Sequence, residues 1–329
     1  MARRNVFLIP WLITTLGAGW FVMQGQRTFS APWIVAVILA LTFYTTVAFL
    51  RWLPKPAFDD LSQESQTRPG LFLCTLIGVG GILFLAYWLW GLTVLFALPL
   101  IGLIVLVVLR RQMDKREIIY ALGLGAIAGI AALAAGINFI SPAVWAILQL
   151  CLVLVGLPAG WSILRQYGLL QTGVGRSRLI SDGLVSALIS FGQGIVLCFP
   201  WMLSAVVLGS STSGTWVQAW WQPLTALQPA IAEEAWGRML LIPLVYIVLR
   251  RFAKTQTVLT AAIIVVSYAF AYWHTSSNLD WFTTIMMGTL LVLPLSFLCL
   301  YRDLESAIGF HFGYDFGTAL IPFLLFQGF

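Results

Sequence analysis

Residues 71–90 read LFLCTLIGVGGILFLAYWLW and contain no charged side chain. A run of about 20 apolar residues is the length that an α-helix needs to cross the hydrocarbon core of a bilayer. The same character extends over the chain of 329 residues, of which 60% are hydrophobic and 9% charged. Soluble domains contain roughly 25% charged residues. The composition therefore excludes a disordered chain, a coiled coil and an ordinary soluble enzyme, and it predicts an integral membrane protein.

Further apolar segments predict an all-α, polytopic membrane protein with about 11 transmembrane helices. The predicted spans are residues 6–23, 31–50, 71–90, 92–109, 118–136, 143–164, 184–208, 224–249, 258–274, 281–301 and 307–329. The first span follows Met-Ala-Arg-Arg, as the apolar part of a signal peptide would. No small-residue cleavage site comes after it, so we interpret it as an uncleaved span.

The basic residues predict the orientation of these spans. With a cytoplasmic N-terminus, 16 of the 18 Lys and Arg residues lie in inner segments, whereas the outer loops contain only Arg27 and one span contains Arg238. Such an excess on the cytoplasmic side is the usual positive-inside pattern. The positive net charge is therefore explained by the bilayer and gives no reason to expect a nucleic-acid partner. We expect the protein in the inner membrane of a bacterial cell.

Ionisable residues inside predicted spans indicate where a function lies. A charged group in hydrocarbon costs at least ~2.5–3.5 kcal/mol, so such residues are rare and usually functional. All of those in this chain lie in its last third: Glu233, Glu234, Arg238, His274, His311 and Asp315.

The spacing of the first three predicts their directions on one helix. Glu234 and Arg238 are four residues apart, so they share a helix face and can form an ion pair. Glu233 is rotated by about 100° from Glu234 and points elsewhere. One glutamate can therefore be neutralised by the arginine while the other faces a different part of the site.

The next two spans repeat the four-residue spacing. Phe270 lies one turn before His274, and His311 lies one turn before Asp315. Polar groups from three helices can thus meet in one place, which is how sites are built in helical bundles.

These residues form three motifs in order along the chain: EExxxR at 233–238, FxxxH at 270–274 and HxxxD at 311–315. Together they resemble the motifs of the CAAX protease and bacteriocin-processing family, also called the Abi family, which includes intramembrane glutamate-dependent CAAX-prenyl endopeptidases. The resemblance covers about residues 224–325. It suggests a division into N-terminal transmembrane helices of unknown role, residues 1–183, and a catalytic transmembrane core, residues 184–329.

The resemblance implies a membrane-embedded endopeptidase that acts on a membrane-bound peptide or protein and needs no cofactor. Glu233 would be the general base on a water that His274 helps to hold. His311, with Asp315, would stabilise the oxyanion. Glu234, Arg238 and Phe270 would be supporting residues.

The motifs depart from the family pattern at three positions. Gly237 stands where an aromatic residue is usual, Met239 stands where glycine is usual, and Asp315 replaces asparagine. The acid at position 315 adds charge to the site unless it is protonated or paired with His311.

Three other interpretations of the same residues remain open. Glu, Asp and two His side chains are suitable zinc ligands, although no HExxH motif is present. A membrane scaffold or immunity-type protein could keep the motifs as a polar core. A proton-coupled transporter also uses acids and histidines within the membrane, but the N-terminal half has no matching second set. Three kinds of substrate are compatible with the sequence: a prenylated CAAX tail, a bacteriocin leader and another membrane-bound peptide.

The predicted spans raise one geometric difficulty. Glu233 lies about nine residues, or ~13 Å, inside the outer end of its helix. His274 lies near an outer end, and His311 lies about five residues from an inner end. Straight helices would leave these residues at different depths, so we expect helices that tilt, break or begin deeper.

Overall fold

The computed structural model of the protein describes residues 2–23, 32–58, 68–90, 93–135, 140–209, 219, 221–275 and 281–326. The longer helices are α1 (Ala2–Met23), α2 (Pro32–Trp52), α3 (Pro69–Trp90), α4 (Val94–Val108), α5 (Lys115–Ala135) and α6 (Pro142–Gln166), followed by the short α7 (Arg178–Asp182) and then α8 (Leu184–Leu197) and α9 (Phe199–Val207). The C-terminal part contains α10 (Leu227–Glu233), α11 (Leu241–Leu249), α12 (Thr255–Thr275), α13 (Trp281–Met287), α14 (Leu293–Tyr301) and α15 (Leu304–Phe326). No strand occurs in these ranges, so the described chain is all-α.

Nine helical units of the described residues are long and apolar enough to cross a membrane, and they coincide with nine of the predicted spans. In α3, no residue of Pro69–Ala86 is buried, although this segment is strongly apolar. A helix with apolar side chains exposed around it is suited to lipid. The protein is therefore a polytopic membrane protein. Predicted span ends at 31, 92, 136 and 327–329, like Arg27, lie outside the described residues.

Two predicted spans differ from simple membrane-crossing helices. The predicted span 92–109 contains α4, which has only 15 residues. The predicted span 224–249 is not one α-helix, because a π-helical segment, Glu234–Leu240, separates α10 from α11. A second π-helical segment, Gly288–Val292, separates α13 from α14.

A proline follows each π-helical segment and supplies a local reason for the break. Pro243 lies three residues after the first segment, and Pro294 lies two residues after the second. Proline has no backbone N–H and its ring clashes with the carbonyl four residues earlier, so the regular hydrogen-bond ladder cannot continue. The wider π turn accommodates this disruption, and such turns are frequent at functional sites.

The loops with the basic residues meet at one end of the bundle. The backbone N–H of Arg68 donates to the carbonyl of Phe252 at 3.2 Å. The guanidinium of Arg250 lies 4.1 Å from the ring centroid of Tyr167. These contacts join three loops that the charge pattern assigns to the same side, as the predicted alternation of spans requires. The cytoplasmic location of this end stays a prediction.

The last helix, α15, begins inside the protein, under a cover formed by residues 174–183. The N–H of Leu304 donates to the carbonyl of Arg176 at 2.9 Å. The buried carboxylate of Glu305 accepts a hydrogen bond from the Ser177 hydroxyl at 2.6 Å. Asp303 is fully buried and caps the helix by accepting the N–H three residues later. Because the helix begins below this cover, residues in its second and third turns lie deeper than a surface start would place them.

Glycines at four-residue spacing set the rotation of α15. A Cβ atom at Gly309 would lie 2.0 Å from the carbonyl oxygen of Phe191, and one at Gly313 would lie 2.8 Å from Cys198 Sγ. Only glycine permits this approach of α15 to α8, as in other close helix pairs in membranes. His311 and Asp315 each lie two residues after one of these glycines, a rotation of about 200°. Their side chains therefore point away from α8, towards α10.

The N-terminal helices pack on the C-terminal ones. The ring of Phe49, on α2, lies 5.5 Å from that of Trp201 on α9 and 6.4 Å from that of Phe310 on α15. The proposed division after residue 183 falls at Gly183, between α7 and α8. It stays a prediction, with its two parts sharing one hydrophobic core.

Candidate active site

The first π-helical segment and its neighbouring turn provide the two glutamates and the arginine. Arg238 Nη1 lies 3.3 Å from Glu234 Oε1, and both side chains are almost completely buried. The same Nη1 donates to the backbone carbonyl of Glu233 at 3.4 Å. The ion pair inferred from the four-residue spacing is therefore present. It fixes the direction of Glu234 within the protein.

Helix α12 provides an oriented imidazole. His274 Nδ1 lies 2.9 Å from the carbonyl of Phe270 one turn earlier. A carbonyl only accepts hydrogen bonds, so Nδ1 carries a proton and Nε2 is the atom turned towards the site. His274 Nε2 lies 3.6 Å from Glu233 Oε1.

Phe270 connects the arginine and this histidine. Its ring centroid lies 4.0 Å from Arg238 Cζ and 4.4 Å from the centroid of the His274 ring. A buried guanidinium over an aromatic face is stabilised by a cation–π interaction. Gly237 leaves room for this ring, because a Cβ there would lie only 3.3 Å from it, closer than an ordinary van der Waals contact. The glycine found where the family usually has an aromatic residue thus has a local explanation.

Helix α15 provides the second imidazole. His311 Nδ1 lies 2.9 Å from Glu234 Oε1. On the other side of the ring, His311 Nε2 lies 3.7 Å from Glu233 Oε2 and 3.4 Å from Asp315 Oδ2. The structure therefore places all seven predicted site residues in one cluster. Their roles in catalysis stay predictions.

The two glutamates differ in access. The side chain of Glu234 has 0% of its surface exposed, whereas that of Glu233 has 17%. His274 and Asp315 are about one-third exposed, at 37% and 33%. Glu233 is therefore the partly exposed glutamate, and Glu234 is enclosed by the protein.

The expected difference in depth does not keep the two histidines apart. His274 and His311 both lie within 3.7 Å of the carboxylate of Glu233. Two of the features expected to bring these residues to one depth are present. The helix of Glu233 is broken by a π segment, and α15 begins below the cover at residues 174–183.

Two glycines of α6 were not recognised in the sequence as part of this region. A Cβ at Gly160 would lie 1.7 Å from the carbonyl oxygen of Met239, and one at Gly156 would lie 3.1 Å from that of Ala235. The backbone of α6 thus directly supports the first π segment. The four-residue spacing of Gly156 and Gly160 is the small-xxx-small pattern of close membrane helix pairs. This pattern could have indicated from the sequence that α6 packs closely against another helix.

The described residues contain no group of three or more His, Cys, Asp and Glu side chains arranged to hold a metal ion. The zinc interpretation is left to experiment. The site consists of the partly exposed carboxylate of Glu233, which lies between the Nε2 atoms of two histidines, and of the buried Glu234–Arg238 ion pair next to it. A positioned carboxylate can accept a proton from water, and imidazole N–H groups can stabilise developing negative charge.

Fold and site together define an all-α polytopic membrane protein with a glutamate–histidine site between its helices. Residues 215–317 match the family model described as Rce1-like, type II CAAX prenyl endopeptidase. This match includes all three motifs and confirms the predicted resemblance to the CAAX protease and bacteriocin-processing family in this part of the chain. The family is one of proteases, which supports a hydrolase. Comparisons with curated proteins and with solved structures found no match.

Proposed function

We propose that the protein is an intramembrane, glutamate-dependent endopeptidase that hydrolyses a membrane-associated peptide or protein. The position of Glu233 carries this proposal. Its carboxylate lies 3.6 Å from His274 Nε2 and 3.7 Å from His311 Nε2, and it is the partly exposed one of the two glutamates. Glu234 is held by Arg238 and His311 and is buried.

In the proposed mechanism, the Glu233 carboxylate accepts a proton from a water molecule. The Nε2 atom of His274 holds that water, because Nδ1 is already engaged with the Phe270 carbonyl. The resulting hydroxide attacks the peptide carbonyl, and His311 stabilises the oxyanion. Nε2 is the ring nitrogen of His311 proposed for this role, because it lies on the side of Glu233 while Nδ1 faces Glu234. The tetrahedral intermediate then collapses: the peptide C–N bond breaks, and the protonated Glu233 carboxyl returns its proton to the leaving amine. No covalent intermediate with the enzyme forms.

The substrate is proposed to be held in the bilayer next to the site. The nine apolar spans and the protease family support a membrane-embedded peptide substrate. The name of the matching family, CAAX prenyl endopeptidase, suggests a prenylated C-terminal peptide as the first probe. A bacteriocin leader or another membrane-bound peptide would suit the same site.

The test compares wild-type protein with Glu233→Gln in proteoliposomes, using a fluorogenic farnesylated CAAX peptide and the same peptide without the lipid. Glutamine keeps the shape of the side chain but is not a base, so turnover should fall by about 10²–10⁴-fold. Asp114→Asn is the matched control, because it changes a half-buried carboxylate that accepts the Arg116 N–H at the start of α5, far along the chain from the motifs. Helical content and elution volume should be equal in all three proteins.

The outcomes separate the interpretations. Equal cleavage by wild type and Glu233→Gln would show that the glutamate mechanism is wrong. A wild-type protein that cleaves neither form of the peptide would contradict a CAAX-type substrate. Loss of activity with a chelator and its recovery with zinc would favour the metalloprotease interpretation.

A further inference from the structure

His311 is surrounded by carboxylates on both sides of its ring. Its Nδ1 lies 2.9 Å from Glu234 Oε1. Its Nε2 lies 3.4 Å from Asp315 Oδ2 and 3.7 Å from Glu233 Oε2. Both ring nitrogens therefore face atoms that, in an ionised carboxylate, only accept hydrogen bonds.

A neutral imidazole has one N–H and one lone pair, so it would point the lone pair at carboxylate oxygens on one of these sides. An imidazolium donates on both sides. We propose that His311 is an imidazolium cation in this site. Asp315 is then a positioning residue that keeps His311 protonated by supplying a second counter-charge at Nε2.

The charges around His311 support this assignment. Glu233 and Glu234 face it from α10 and the first π segment, and Asp315 faces it from its own helix. Arg238 is paired with Glu234. His274 faces Glu233 rather than His311. With a neutral His311, three acids would have one permanent cation among them.

Asp315 depends on His311 for its counter-charge. Among the described residues, its only ion-pair partner is His311. The buried thiol of Cys198, on the α8–α9 side, donates to the Ile195 carbonyl at 3.0 Å and adds no charge. A charge on Asp315 inside a membrane helix is therefore compensated by the imidazolium. An asparagine, the usual residue of the family at this position, would need no such compensation.

The chain contains only two histidines, which makes a direct measurement simple. The protein is labelled with ¹⁵N-histidine in nanodiscs, without substrate, and the ring nitrogen signals are followed as the pH rises. His274→Gln assigns the signals. In wild-type protein, His311 should keep both N–H groups well above pH ~6.5, where an unperturbed histidine loses one.

Two variants of Asp315 and one control variant elsewhere in the chain separate charge from packing. Asp315→Asn keeps the size and an acceptor but removes the charge, so His311 should lose its second proton about 1–3 pH units lower than in wild type. Asp315→Glu restores the charge and should restore the cation. Asp182→Asn, an exposed acid between the spans, should leave both histidine signals unchanged.

A wild-type His311 that is neutral at pH 7 would overturn the proposal, as would an Asp315→Asn protein with an unchanged His311 titration. An equal shift of His274 in Asp315→Asn would also contradict it, because the effect would then be general. The proposal concerns the same residues as the proposed peptidase, but its test requires no turnover. A scaffold could pass it, and a peptidase with a neutral His311 would fail it while still losing activity in Glu233→Gln.

Discussion

The buried ion pair behind the site allows a quantitative prediction about stability. Arg238 has one side-chain carboxylate partner, Glu234, at 3.3 Å. Glu234 has two cationic or polar-hydrogen partners, Arg238 and His311, the latter at 2.9 Å. Removing Glu234 should therefore cost more stability than removing Arg238.

The magnitudes follow from the distances. Two unit charges 3.3 Å apart interact by about 5 kcal/mol at an effective dielectric constant of 20. Glu234→Gln removes this attraction and leaves a guanidinium that is 1% exposed without a counter-charge, which should cost ~3–5 kcal/mol. Arg238→Met removes the buried cation itself and leaves Glu234 bound to His311, so it should cost about 1–3 kcal/mol.

The double variant completes a thermodynamic cycle. Replacing both members of a buried pair by groups without net charge is often neutral, so Glu234→Gln with Arg238→Met should be more stable than Glu234→Gln alone. The free energy of unfolding is measured for all four proteins in the same mixed micelles. An Arg238→Met protein less stable than Glu234→Gln would refute the unequal-partner argument. A double variant less stable than both single variants would refute the pair as a unit.

Three further predictions concern packing, pH and orientation. Gly160→Ala should destabilise the protein by at least ~1–3 kcal/mol in the same unfolding assay, because the new Cβ would meet the Met239 carbonyl. Gly123→Ala on α5 is the control: its Cβ would meet nothing within 4 Å, so it should stabilise the protein by roughly 0.5–1 kcal/mol. The hydrogen bond from Arg178 lowers the pKa of Asp182 in the folded protein. The ionised Asp182 therefore stabilises α7 fully above its unfolded pKa of about 3.9, and this stabilisation is lost as the pH falls through the lower folded pKa. Hydrogen exchange of residues 178–183 should accelerate in that pH range beyond the intrinsic pH effect, and unchanged exchange would contradict the prediction. A reporter active only in the cytoplasm should be active when fused after Asp114, and the opposite result would reverse the predicted orientation.

Much of the site could be predicted from the sequence because helix periodicity is local. Four-residue spacing placed Arg238 on the face of Glu234 and Asp315 on the face of His311, and both contacts are present. Phe270 stacks on His274 for the same reason. The rarity of ionisable residues in the spans then singled out these side chains without any knowledge of the fold.

The breaks in the helices were harder to predict. Pro243 and Pro294 were visible in the sequence, but a proline does not say whether a helix kinks, ends or widens into a π turn. The short α7 and its cover over α15 depend on contacts such as Ser177 with Glu305, which are 128 residues apart in sequence. No local pattern reports such a contact.

By itself, the sequence determined that the protein is a polytopic α-helical membrane protein with its costly polar residues in the last third. Composition and periodicity decide these properties because each helix must satisfy its own backbone in lipid. Only the tertiary structure decided how far each glutamate is exposed: Glu233 is partly exposed and Glu234 is buried. Glu233 and Glu234 are chemically identical neighbours, and their difference arises from what packs around them. Arg238 and His311 enclose Glu234, whereas the Nε2 atoms of the two histidines flank the partly exposed Glu233.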